Sequence, residues 1–459
     1  MNKRILLITA LAGFAIIGAA LGKSLLAKPA APAATAKIAV PAGNPMASAP
    51  KSGGDSPTDK EIAKWQEKVK ADATNKRAMV NLGDALMQKG RETADASYYG
   101  LAENSYKQAL ALDPKFVDAL DGMAWVSSGR HEFEQSIDWS NKAIAIEPSD
   151  NTAYGMLGDA HTEMGDTDAA MTNYQKMLDL KPDAGSYSRG AHLLFITGDV
   201  NRAVLLMAKA VQTGSPYAEN TAWFRAQLAL MLFNNGNLVA AQNTAEAAYK
   251  QNPKNYWVLF VMGKVRAAKK DYFGAIDFYK QAVAIAPQHD ALAALGDLYR
   301  LTGNAADAAQ QDALIESIHK IQKANGVRGD SQIARFYADQ NKNLPEALAM
   351  TQEEFKTRKN VVVTDDLAWC EYKNGLNAPA KEHIKLALKQ NTPDANILFH
   401  AGMIALQAND RANAQYYLMK ALSLNPNFNP VYAPVAVKYY DLLGKGKLAS
   451  AGAVSPTSF

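Results

Sequence analysis

The stretch that decides the fold reads Tyr154-Gly155-Met156-Leu157-Gly158-Asp159-Ala160-His161, followed by Gly165, Ala170, Tyr174, Met177 and Pro182. Tyr154, Leu157, Gly158 and His161 share one side of an α-helix, because steps of three and four residues return to the same face. Gly165 supplies a turn, and Ala170, Tyr174 and Met177 line one side of a second helix that Pro182 ends. Two antiparallel helices joined by so short a turn approach closely only where neither carries a bulky side chain, a need that Gly158 and Ala170 meet. The same unit recurs outward in both directions. Pro114, Pro148 and Pro182 are spaced 34 residues apart, as are Pro253 and Pro287. The small position of the first helix recurs at Gly83, Ala124, Gly158, Ala191, Ala229, Gly263, Gly296, Ala334, Ala368 and Gly402. That of the second recurs at Ala102, Ser136, Ala170, Ala203, Ala241, Ala275, Ala308, Ala347, Ala380 and Ala414. A period of this size means a stacked array of one small unit, which accounts for 459 residues without several separate cores.

The pattern resembles the tetratricopeptide repeat (TPR) family. Leu157-Gly158, Ala170, Tyr174 and Pro182 carry the resemblance in the third unit, and Met262-Gly263, Ala275, Tyr279, Ala282 and Pro287 carry it in the sixth. Leu295-Gly296, Tyr299, Gly303 and Ala308 match the first half of the pattern in the seventh. The resemblance covers residues 76–428, with units starting near 76, 117, 151, 184, 222, 256, 289, 327, 361 and 395. It implies an all-α fold, a right-handed α-solenoid of about ten TPR helix-turn-helix units. Residues 59–75 read as a leading helix, and residues 429–445 as the capping helix that a solenoid needs over its last apolar face. The register slips in three places: between Gly90 and Ala102, near Thr213 to Glu219, and near Lys323 to Gly326. The eighth unit fits worst, with Glu354 where a small residue is wanted. Drift in tolerant loops explains such slips most simply, although insertions in solenoids also flank binding surfaces.

Ahead of the array, Lys3 and Arg4 precede an uncharged run from Ile5 to Gly22 that Lys23 closes. Residues 1–26 therefore read either as a signal peptide, cut after Ala20 or Gly22, or as a retained N-terminal membrane anchor. As a helix the run spans about 27 Å against a hydrocarbon thickness of ~30 Å, so length leaves both readings open. Both place the rest of the chain in the periplasm or on the extracytoplasmic face of the inner membrane. The one cysteine, Cys370, excludes a lipoprotein anchor next to this run. Residues 27–58, rich in Ala, Pro, Gly and Ser, are expected to be a disordered linker, and residues 446–459 a disordered tail.

The formal charge of +4 is concentrated at the N-terminus. Residues 1–58 hold Lys3, Arg4, Lys23, Lys28, Lys37 and Lys51 against Asp55, which leaves the array slightly acidic. With no basic stripe to meet phosphates, nucleic acid is not an expected partner. No phosphate loop, dinucleotide fingerprint, HExxH or GxSxG motif occurs. Ser317-Ile-His-Lys320 and Ser149-Asp-Asn151 imitate motifs of penicillin-interacting enzymes, but stand in reverse order with no Lys-Thr-Gly to complete them. His161 and His192 have no partner three or four residues on to form a metal pair. Asp166-Thr-Asp168 reads as a turn and helix cap, and Cys370 as a buried small apolar residue. No catalytic, cofactor or metal residue is expected, and the chain reads as non-enzymatic.

In TPR proteins the second, fifth, ninth, twelfth and thirteenth positions of each unit line the concave surface, so the resemblance assigns that role here. Units one to three then contribute Asp84, Asp118, Asp121, Asp159 and Glu163 against Arg77. Units four to six contribute Phe195, Trp223, Phe233, Trp257 and Phe260 with Lys264. Units seven to nine mix Arg300, Arg328, Arg335 and Lys373 with Asp290, Asp297, Asp339 and Asp365, plus Trp369 and Tyr372. The candidate partner-binding residues are Phe195, Trp223, Phe233, Trp257, Phe260, Trp369, Tyr372, Asp118, Asp121 and Asp159. An acidic end and an aromatic middle suit a peptide with a hydrophobic anchor. The competing reading has Trp223 and Trp257 packing on the preceding helix instead. Some TPR co-chaperones clamp a terminal carboxylate with Lys, Asn and Arg. Val80, Asp84, Asp121 and Trp125 stand at the first of those positions here, so a cytosolic heat-shock partner is not expected. The sequence thus predicts a protein-binding scaffold of the cell envelope, with a possible membrane tether through residues 5–22. A glycan- or small-molecule-binding protein of envelope polysaccharide assembly is the alternative that the aromatic middle admits.

Overall fold

The structure, a computed structural model, describes residues 56–215, 219–324 and 331–445. Among them the chain forms 22 helices and no strand. A leading helix α1 (Pro57–Ala71) precedes ten antiparallel hairpins. These are α2 (Lys76–Thr93) with α3 (Ser97–Leu112), α4 (Val117–Gly129) with α5 (Phe133–Ile146), α6 (Asn151–Glu163) with α7 (Thr167–Leu180), α8 (Ala184–Ile196) with α9 (Val200–Thr213), and α10 (Glu219–Asn234) with α11 (Leu238–Gln251). The second five are α12 (Tyr256–Ala268) with α13 (Tyr272–Ile285), α14 (His289–Leu301) with α15 (Ala305–Ala324), α16 (Ser331–Asp339) with α17 (Leu344–Glu354), α18 (Val361–Lys373) with α19 (Asn377–Leu388), and α20 (Ala395–Gln407) with α21 (Arg411–Leu424). Helix α22 (Tyr432–Gly444) ends the array. The architecture is the all-α solenoid of helix-turn-helix units that the period implies, and eight of the ten expected unit starts coincide with a first residue of a helix. The fifth unit starts at Glu219, and the first described helical residue of the eighth is Ser331. The uncharged run from Ile5 to Gly22, residues 27–55, Arg328 and residues 446–459 lie outside the described residues. No described helix is long and apolar enough to cross a membrane.

Short polar residues start these helices. Ser56 forms a capping box with Asp59 on α1, and Asp150, Asp166, Asp183, Asp199, Asn237, Asn255, Asp271, Asn360, Asp394 and Asp410 each accept a first-turn N–H. In the first, third and sixth hairpins the glycine of the first helix admits a tyrosine ring from the second. A Cβ on Gly158 would lie 2.2 Å from the Tyr174 ring, and one on Gly83 would lie 2.4 Å from that of Tyr106. The extra residues of the first unit lengthen α2 to 18 residues, against 13 in α4, and those before the eighth unit lengthen α15 to 20.

The solenoid also contacts itself one superhelical turn later. The turns at Gly165, Gly198 and Gly236, between the helices of units three, four and five, abut the connectors that follow units eight, nine and ten. A Cβ on these glycines would stand 2.5, 2.9 and 2.0 Å from the carbonyl oxygens of Lys359, Asn391 and Leu424. The carbonyls of a helix's last turn lack intrahelical donors, and this seam supplies them. The N–H groups of Lys359 and Asn360 donate to the Glu163 carbonyl at 3.1 Å each. Thr392 Oγ1 donates to the Ile196 carbonyl, and Asn425 Nδ2 to that of Phe233 at 2.8 Å. Arg358 adds buried ion pairs to Glu163 at 2.6 Å and Glu354 at 2.8 Å, while Glu354 also accepts the Ser331 N–H at 2.6 Å. The acid that spoils the repeat pattern at position 354 is therefore the anchor of the seam's arginine. Two of the register slips meet in the same way: Arg91 on the lengthened α2 pairs with Glu219, to which Gln88 also donates at 3.2 Å. Ala94, from the same insertion, is buried in the core around α10 to α14.

Candidate functional site

Helices α1, α2, α4, α6 and α8 enclose an open groove of about 890 Å³. Its walls include Pro57, Thr58 and Trp65 of α1, Arg77 and Asp84 of α2, Asp118, Asp121 and Trp125 of α4, Met156 and Asp159 of α6, and Arg189 of α8. The packing of each hairpin sets the acids. Tyr106, wedged against Gly83 and Gly122, donates its hydroxyl to Asp84 at 2.8 Å. Tyr174, wedged against Gly158, donates likewise to Asp159 at 2.9 Å. One ring thus both fills a helix gap and orients a groove carboxylate.

The arginines of this groove are already committed. Arg77 pairs with Asp118 at 2.6 Å, Arg91 with Glu219, and Arg189 grips Asp159 through Nε at 2.9 Å and Nη2 at 2.8 Å. Asp84 and Asp121 have no such partner among the described residues. Burial pushes Asp84 up to about 6, against the lowering effect of the Tyr106 hydroxyl. Burial and then the neighbouring Asp150 carboxylate push Asp121 up to about 9, and its Oδ1 accepts no hydrogen bond. Near neutral pH Asp121 favours the proton-bound form, while Asp84 carries its charge against the cost of burial.

The concave face of the later units is filled by the protein itself. Phe428, Asn429 and Pro430, just before α22, lie over Phe233, Lys264 and Asp297, leaving a space of only about 70 Å³. Tyr432 of α22 donates to Asp339 and stacks on Phe399 with centroids 4.9 Å apart. Trp369 donates Nε1–H to the same carboxylate at 2.8 Å and lies between Tyr372 at 4.8 Å and His400 at 4.0 Å. His400 Nδ1 in turn meets both Asp365 oxygens at 3.0 Å, and Arg335 bonds Asp366. Lys264 lies 5.3 Å from the Phe233 ring centroid, and burial holds its pKa down.

Of the residues expected to bind a partner, the structure brings only Asp118, Asp121 and Asp159 to the open groove. Phe195, Phe233, Trp257, Phe260, Trp369 and Tyr372 are buried, the last two completely, and Trp223 is half-buried in a T-shaped contact with Phe224. Glu163 belongs to the seam rather than to the groove. The aromatic rings that do face the groove are Trp65 and Trp125. Trp125 stands at a concave repeat position, which could have flagged it. Trp65 is on the leading helix, where no repeat position exists to place it. Arg189 falls between the concave positions, so only the fold brings it to Asp159.

Comparison with known proteins finds tetratricopeptide repeats at residues 152–183, 227–290 and 395–428. The chain is similar to the Small glutamine-rich tetratricopeptide repeat-containing protein 2 of Saccharomyces cerevisiae, with 31% identity over 100 residues. That match takes in 22% of this chain and 29% of the yeast protein, so the chain spans under a third of that relative's length. Among solved structures, Pseudomonas aeruginosa pilF matches with 18% identity and a TM-score of 0.38, over 45% of this chain and 93% of that one. MamA matches with 24% identity and a TM-score of 0.27, over 35% and 95% of the two chains.

Proposed function

We propose that this protein is a non-enzymatic interaction scaffold of the cell envelope that holds a peptide or protein segment in the groove of its first three units. TPR proteins in general serve as protein-interaction scaffolds. The observation that carries the specific reading is the open groove of about 890 Å³, where Trp65 and Trp125 stand beside two carboxyls that no cation answers. Aromatic rings provide rigid apolar anchorage, and an unanswered buried carboxyl favours a ligand that brings the missing charge. The envelope assignment rests on Lys3, Arg4 and the uncharged run to Gly22.

In-cell photocrosslinking tests both parts. A crosslinker at position 125 should trap one dominant partner that a crosslinker at the exposed Val239 of α11 does not. Equal products from both positions would remove the groove from consideration. Intact mass of the native chain, combined with protease access from outside the inner membrane, reads the location. A full-length chain shielded from that protease would contradict it.

A further inference from the structure

We propose that, when no partner is bound, the groove of units one to three is occupied by this chain's own segment around Lys37. A partner would then have to displace that segment. The inference rests on the groove being the partner site and adds what fills it otherwise.

The first ground is where the chain enters. Pro57 and Thr58, the first turn of α1, themselves line the groove, so residues 1–55 are joined to the protein at its rim. The second is charge. Between Ser24 and Gly54 the sequence holds Lys28, Lys37 and Lys51 and no acidic residue. The groove offers Asp84 and Asp121 without a cationic partner, its own arginines being held by Asp118, Glu219 and Asp159. An ammonium placed between the two carboxyls would draw the proton off Asp121, so docking near neutral pH should release up to one proton.

The third ground is the chemistry of the segment. In Ala36-Lys37-Ile38-Ala39-Val40-Pro41 the lysine adjoins two branched apolar residues, which fit Trp65, Trp125 and Met156. Proline-rich flanks favour an extended chain, which lowers the ordering cost of docking. The linker between Pro41 and Ser56 reaches about 20 Å even as a coil, the width of two or three packed helices.

Zero-length carbodiimide crosslinking of the full chain tests this, because it joins an amine to a carboxyl only in contact. Intramolecular links from Lys37 to Asp84, Asp118 or Asp121 are expected. Their yield should fall about tenfold in Trp125→Ala, which keeps every reacting group but removes an anchor, and also in 0.5 M salt. Circular dichroism confirms that the variant is folded, and Asp121→Asn gives a second check by lowering the remaining Lys37 links to Asp84 and Asp118. An acetylated peptide of residues 33–43 added in excess should compete. Lys37 links spread evenly over exposed acids such as Glu353 and Glu382 would overturn the proposal. So would links found only between chains when isotopically heavy and light protein are mixed, because a second copy would then be the occupant. If these links fail while a crosslinker at position 125 still traps a partner, the self-docking falls and the groove stands.

Discussion

In the later units three of the four concave acids, Asp297, Asp339 and Asp365, meet side-chain donors, while Asp290 is exposed. Asp297 takes Arg300 and Gln340, Asp339 takes Trp369 and Tyr432, and Asp365 takes His400. In the first three units Asp84 has, among the described residues, the Tyr106 hydroxyl as its one side-chain donor, and Asp121 faces Asp150. The hairpins are the same, yet one stretch of the concave surface has become a core while the other keeps an unmet demand for positive charge. A solenoid closes on itself where its next turn and its cap fold over it, and keeps an open groove where they do not.

The hardest blow to this contrast falls on the seam. Arg358→Ala leaves Glu163 and Glu354 as buried carboxylates without a cation, which costs about 3–5 kcal/mol. The urea midpoint should drop, and the amides of Lys359 and Asn360 should exchange faster. Arg358→Lys should recover only part of the loss, since an ammonium cannot reproduce two directed guanidinium contacts. An unchanged midpoint in the alanine variant would mean that the turns rest on one another without holding.

The open end should show the opposite response, a gain when an acid is removed. Asp84 has a folded-state pKa of about 6, above its ordinary 3.8, so the folded chain holds a proton that the unfolded chain releases between those values. Its contribution to stability is therefore full below about pH 4, falls as pH rises toward 6, and stays low above that. Asp84→Asn should remove the fall and stabilise the protein above pH 6 by up to about 3 kcal/mol, with little effect at pH 4. Asp159→Asn should destabilise instead, because Arg189 loses its charged partner. If both variants shift the denaturation midpoint in the same direction at pH 7.5, the two acids do not differ as described.

A glycine pair isolates the seam from the local turn. Gly236 and Gly375 have nearly equal positive φ, +78 and +75, but an added Cβ meets the Leu424 carbonyl in one case and open space in the other. Alanine at either position pays the left-handed cost of roughly 1–2 kcal/mol. Gly236→Ala should lose a further ~1–3 kcal/mol through overpacking. Equal midpoints for the two variants would show that the connector yields freely.

The repeat itself was fully legible, because Gly158, Ala170 and Tyr174 obey packing rules that act within thirty residues. Eight of the ten unit starts followed from it, the exceptions lying where the register slips. The groove was legible in part. A repeat position says which side of a hairpin a residue occupies, but not whether the next superhelical turn will cover it, so Trp369 and Tyr372 look as available in the sequence as Asp121. The residues that break the pattern carried the missing information: Glu354 and the insertions around Arg91 and Glu219 all belong to contacts between turns. Such contacts join residues more than a hundred positions apart, where no local period can register them.

The smallest effect is expected at the cap, and it decides what closes the later groove. Tyr432→Phe removes one hydrogen bond to Asp339, but Trp369 still donates to that carboxylate and the ring still stacks on Phe399. The loss should be about 1–2 kcal/mol, typical of a bond to a charged acceptor that keeps another donor. Measured by the same urea midpoint, it should be smaller than the loss in Arg358→Ala. A larger loss would reverse the assignment, making α22 the element that fills the groove and the seam its consequence. The self-sufficiency of the later units would then depend on one terminal helix, and unfolding that helix alone should expose Trp369 and His400.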